Sequence, residues 1–143
     1  MPAGPHAILW PAFALAALTF LVWLRMFFAR VGEMRRLRIH PQSVATSPQA
    51  AQSFVDTRAA DNFRNLFELP VLFYLAVSIA HASAATNGLL LALAWSFVAM
   101  RIVHSAIQCS YNRVMHRFYA YLAGSLVLWV LWGALAVSLL ARA

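Results

Sequence analysis

Four apolar stretches, over residues 7–29, 58–82, 88–109 and 118–140, constrain this chain more than any other feature. The hydrocarbon layer of a bilayer is about 30 Å thick, so a helix needs about 20 largely apolar residues to cross it. Lipid offers no partner to a backbone N–H or C=O, so each stretch is predicted to be helical. The connections "HASAATNG" and "SYNRVMHR" are short, which favours antiparallel neighbours. The predicted fold class is therefore all-α: an integral membrane protein built as an antiparallel four-transmembrane-helix bundle, one domain over residues 1–143. The remaining connection, residues 30–57, contains Pro41, Pro48 and a Ser/Gln/Ala-rich second half, and reads as a loop.

Composition agrees. Hydrophobic residues make up 63% of the chain and charged residues 10%, against about 25% in soluble domains. A water-soluble fold of this size would have too little polar surface to cover its core. No basic residue precedes the first apolar run, which is longer than a signal-peptide core and reads as a retained helix. Cys109 is the single cysteine, which excludes an intramolecular disulfide, and no metal-ligand spacing involves it. No metal is expected.

The net charge of +7 comes from arginine alone, against Glu33, Asp56, Asp61 and Glu68. No basic stripe lies on a soluble face, so nucleic acid is not an expected partner. Arg30, Arg35, Arg36, Arg38 and Arg58 flank the first loop, and Arg113 and Arg117 the third. The N-terminal tail and second loop have none, and the C-terminus has only Arg142. By the positive-inside rule the first and third loops face the cytoplasm and both termini lie outside. A bacterial inner membrane is the expected location.

The second stretch opens with "RAADNFRNLFELP", which crowds polar side chains into the start of a membrane helix. At about 100° per residue, Arg58, Asn62 and Asn65 fall within roughly 60° of one another, with Asp61 and Glu68 beside them. The third stretch carries Arg101, His104, Ser105, Gln108 and Tyr111 at spacings of three and four, hence on one face. Both stripes reach the same membrane side and can face each other at one depth. Arg58, Arg64, Arg101, Arg113 and Arg117 there outnumber Asp61 and Glu68. Unpaired guanidinium groups within a bundle invite an anionic ligand such as a carboxylate. A buried ion-pair network that sets helix register is the plainer alternative. A haem-bearing electron carrier would need facing histidines at equal depth; His104 has none opposite, and His81 could meet only His6.

The pattern "RAADNFRNLFELPVLFY" resembles the second-helix signature of the MAPEG family, membrane-associated proteins of eicosanoid and glutathione metabolism. The helix lengths, long first loop and polar end of helix three also resemble it, over nearly the whole chain. The resemblance implies a homotrimer with glutathione as co-substrate between subunits, near the cytoplasmic side. It implies glutathione contacts for Arg58 and Asn62, and Arg101 resembles the family's Arg near the end of helix three; His104, Gln108 and Tyr111 are candidate ligand contacts because they share the Arg101 face. The family's Glu falls at Asn65 in one register and at Glu68 in a slipped one. His104 and Gln108 stand where the eicosanoid enzymes carry tyrosines. Arg117, twelve residues before Trp129, matches the spacing of the family's thiol-activating Arg. The expected function is a glutathione-dependent transferase or peroxidase acting on small lipophilic electrophiles drawn from the lipid bilayer. The alternative is a catalytically silent binding or scaffold protein of the same fold.

Overall fold

A computed structural model describes Gly4 and residues 6–142. Helix α1 spans Leu9–Leu37, α2 Ser47–Ser53, α3 Arg58–Asn65, α4 Leu69–Ala82, α5 Gly88–Cys109 and α6 Val114–Leu140, with one 3-10 turn at Pro41–Val44. There are no strands among the described residues. Four stretches are long and apolar enough to cross a membrane: α1, α3 with α4, α5, and α6.

Two helix boundaries, the continuity of the second span and the loop expected over residues 30–57, which contains α2, differ from the sequence reading. α1 does not stop near residue 29 but continues to Leu37. Its 29 residues, at about 1.5 Å each, exceed the bilayer core. Hydropathy marks where lipid ends, whereas a helix continues while its backbone bonds can form. α6 likewise begins at Val114, ahead of the apolar run. The second membrane helix is broken: Leu66, Phe67 and Glu68 leave the helical path between α3 and α4. Pro70 explains the break, because it lacks an N–H and its ring crowds the carbonyl four residues earlier, on Leu66. Glu68 takes up the change of direction with φ −98° and ψ −106°. Within the long connection, α2 starts at a reciprocal cap: Thr46 N–H donates to Gln49 Oε1 at 3.1 Å, and Gln49 N–H to Thr46 Oγ1 at 3.5 Å.

Contacts between helices show their directions. Along α5 and α6, Asn87 meets Ser138, Met100 lies against Gly124, and His104 meets Tyr121, so partners retreat along one helix as they advance along the other. α4 and α5 are also antiparallel, with Phe73 stacked on Phe97 at 4.8 Å and Arg101 reaching Asn65. The core is Leu15, Phe73, Ala76, Ala94, Phe97 and Leu128, all fully buried. α1 buries little of itself; Trp10, Phe13, Phe20, Phe27 and Phe28 are exposed on this single chain. An apolar outer surface of that extent belongs in lipid or against another subunit.

Candidate functional site

The polar face of α3 packs against the polar end of α5. Asn62 is completely buried; its Nδ2 donates to Cys109 Sγ at 3.4 Å and its Oδ1 accepts from Ser105 Oγ at 3.3 Å. One turn on, Asn65 Nδ2 lies 3.1 Å from Gln108 Oε1. The Asn65 carbonyl, at the end of α3 where carbonyls lack helical partners, accepts from Arg101 Nη2 at 2.8 Å. The break at Leu66 to Glu68 thus leaves a backbone acceptor at the depth where α5 brings a guanidinium.

Arg101 is 1% exposed, and no carboxylate is within ion-pairing distance of it among the described residues. Its Cζ lies 5.9 Å from the centre of the Tyr121 ring, within reach of a cation–π interaction. Its Nε is buried without a hydrogen-bond partner. The Tyr121 ring is also 5.9 Å from that of His104.

His104 links α5 to α6. Its Nδ1 is 3.2 Å from the Arg117 carbonyl oxygen and its Nε2 is 2.9 Å from Gln108 Oε1. A backbone carbonyl can only accept, so Nδ1 carries a proton. A neutral ring then needs a donor at Nε2, which Gln108 supplies by turning its amide. Asn65 must turn in concert and offer its oxygen to Gln108. An imidazolium needs neither turn. The three side chains therefore form one coupled hydrogen-bond unit.

Between the α3–α4 break and α6 lies a cleft of about 270 Å³, lined by Asn65, Glu68, His104, Val114, Arg117, Phe118 and Tyr121. Arg117 Nη1 donates to Asn112 Oδ1 at 2.8 Å. Glu68 is exposed and forms no salt bridge among the described residues. A carboxylate, an imidazole, a guanidinium and a phenol thus converge on one opening, with apolar Val114 and Phe118 completing its wall.

The structure does not gather every expected site residue at this cleft. Asn65, Glu68, His104 and Arg117 line it; Asn62, Arg101 and Gln108 are buried behind it, and Arg58 and Tyr111 lie outside its lining. Tyr111 was expected on the Arg101 face, but α5 ends at Cys109 and the following turn carries Tyr111 away. It is 58% exposed, and its hydroxyl is 3.2 Å from His116 Nδ1.

The expected surplus of free arginines needs correcting. Arg58 Nε and Nη2 donate to the two carboxylate oxygens of Asp56, each at 2.8 Å, and Nη1 donates to the Ser110 carbonyl. Asp56, which precedes α3, therefore joins Asp61 and Glu68 in the charge balance. The Arg58 side chain holds the Asp56 carboxyl down at about 2, well below its usual 3.8. Arg64 is 3.7 Å from Asp61. The second omission is Tyr121. Its position four residues after Arg117, hence on the same helical face, was the available signal. At the opposite end of the bundle the rings of His6 and His81 approach to 5.2 Å. No group of three or more metal-ligating side chains occurs among the described residues.

The model of the MAPEG family matches residues 8–137, nearly the whole chain. The chain belongs to the MAPEG family. Membership and the four spans together make it a multi-pass integral membrane protein. At the level of the family this places it with membrane-bound glutathione and eicosanoid metabolism. No match is found among curated proteins or solved structures. The matched residues include both polar stripes and all of the cleft.

Proposed function

We propose that this MAPEG protein is a glutathione-dependent transferase or peroxidase that acts on small lipophilic electrophiles entering from the bilayer. The observation that carries this reading is the cleft, where Arg117, His104, Glu68 and Tyr121 converge beside an apolar wall. A tripeptide thiol needs acceptors and cations for its charged ends, and a cation near its sulfur. A free thiol has a pKa near 8.5 and is mostly protonated at neutral pH. Each unit of lowering requires about 1.4 kcal/mol of preferential stabilisation of the thiolate. One guanidinium in a partly dry site supplies an interaction of that size, and Arg117 is the residue assigned to it.

The roles divide by position relative to the cleft. Asn65, Glu68 and His104 are assigned to glutathione, with Arg58 at the outer end of α3 for a carboxylate. Asn62, Arg101 and Gln108 hold those groups in place from behind. The protein is proposed to work as a homotrimer, with the site toward the cytoplasm of a bacterial inner membrane. The exposed aromatic face of α1 and the open side of the cleft support assembly.

The second reading is a catalytically silent trimer. It is favoured by the burial of Asn62, Arg101 and Gln108, whose hydrogen bonds would equally serve to fix helix register. The detergent-purified protein separates the two readings. Glutathione should raise its melting temperature and support turnover of an aryl halide, and native mass spectrometry should find three chains. A stable trimer with neither binding nor turnover would leave the scaffold reading.

A further inference from the structure

Arg58 already holds a carboxylate: both Asp56 oxygens contact it, at 2.8 Å to Nε and 2.8 Å to Nη2. This side-on, two-pronged contact is the one a guanidinium offers to any carboxylate. The other two ion pairs among the described residues are looser, at 3.7 and 3.9 Å. Asp56 is also delivered to its place. The Glu33 carboxylate, 7% exposed, accepts from the backbone N–H of Val55 at 2.8 Å and of Asp56 at 3.4 Å. That ties the strap before α3 to the end of α1. Asp56 Oδ1 further accepts from the Arg58 backbone N–H at 3.1 Å.

We propose that Asp56 is an internal stand-in for a ligand carboxylate, masking Arg58 until a carboxylate-bearing substrate exchanges with it. The proposal rests on the glutathione reading for the identity of that substrate. Two features make exchange feasible. The side chains of Arg58 and Asp56 are 39% and 35% exposed, so solvent and ligand reach the pair. Asp56 also borders a small hollow with Arg30 and Arg64, so a displaced carboxylate finds other guanidinium groups beside it. Exchange swaps one carboxylate for another and leaves the charge at Arg58 unchanged. A neutral ligand cannot make the swap. Asp56 is thus a positioning and specificity residue: it keeps Arg58 oriented when empty and admits only ligands that offer a carboxylate.

Asp56→Asn is the test, because the amide keeps an Oδ1 acceptor for the start of α3 while losing the charge and the second oxygen. Glutathione should bind the variant roughly two- to fivefold more tightly, the scale of a half-exposed ion pair. The diethyl ester of glutathione should bind both forms alike. Weaker binding of both ligands would reduce Asp56 to a structural support and overturn the proposal. Phenylglyoxal modification of Arg58, mapped by mass spectrometry without glutathione, gives a readout independent of that ligand. Arg58 should react faster in Asp56→Asn and stay slow in Asp56→Glu, which keeps the charge. Equal rates in all three forms would overturn the mask. Faster modification with no glutathione binding in any form would keep the mask and reject glutathione as the ligand.

Discussion

His104 holds Arg117 by its backbone and leaves its side chain to Asn112. The imidazole Nδ1 is 3.2 Å from the Arg117 carbonyl, while the Arg117 Nη1 donates to Asn112 Oδ1 at 2.8 Å. The first turn of α6 is therefore anchored to α5 whatever side chain stands at position 117. A guanidinium has five N–H donors, so contact with Asn112 leaves others for the cleft.

Arg117→Ala should accordingly leave the bundle intact. Losing one to two units of thiolate stabilisation would lower turnover about 10- to 100-fold, with a smaller loss of glutathione affinity. Binding, turnover and the ultraviolet absorbance of bound thiolate against pH, measured together, check this. Arg113→Ala, at an exposed position outside the cleft, should change little. If Arg113→Ala carries the turnover defect instead, the thiolate is served from one turn earlier.

The contact between α5 and α6 depends on a missing side chain at Gly124, where an added Cβ would stand 3.3 Å from Met100 Cβ. Gly124→Leu should therefore overpack the pair and destabilise the fold by about 1–3 kcal/mol. Gly133, on the same helix, has nothing within 4 Å of an added Cβ. Gly133→Leu serves as the control in reversible unfolding in mixed micelles. Equal effects of both substitutions would point to helix propensity or lipid contact rather than to Met100.

The Asp56 carboxyl should set part of the acid sensitivity. Its folded value of about 2 lies below the ordinary 3.8. The stability linked to its ionisation is therefore fully present above 3.8 and is lost as pH falls toward 2. Asp56→Asn should flatten the stability profile across that window and leave it unchanged near neutrality apart from a constant offset. Unfolding midpoints between pH 5 and 2 would show it; parallel profiles for both forms would locate the acid sensitivity elsewhere.

Orientation is checked by single cysteines in a Cys109→Ala background. Gln52 is exposed in α2, and Gly88 is exposed with open space for a side chain at the start of α5. In intact cells Gln52→Cys should resist impermeant thiol reagents and Gly88→Cys should react. The opposite pattern would place the cleft on the outer side. Ala85, also in that connection, is fully buried and would report packing instead.

The sequence alone determined the four spans, because an apolar run of bilayer length admits few other structures. It also determined which polar residues share a face within one helix, since that follows from spacing, but not where α5 ends, short of Tyr111. The family resemblance was equally readable in "RAADNFRNLFELPVLFY", whereas the break after Asn65 lies inside a stretch that hydropathy alone reads as one continuous helix. Only tertiary structure decided what each polar group does on its face. Helical spacing gives direction around an axis, not depth or partner. So Asn62 and Arg101, both expected to contact ligand, are buried, whereas Tyr121, outside both polar stripes, borders the cleft. The pairing of Asp56 with Arg58 needed the strap that Glu33 ties down. A contact between α1 and the strap before α3, 22 residues apart in the chain, leaves no periodic trace in the sequence.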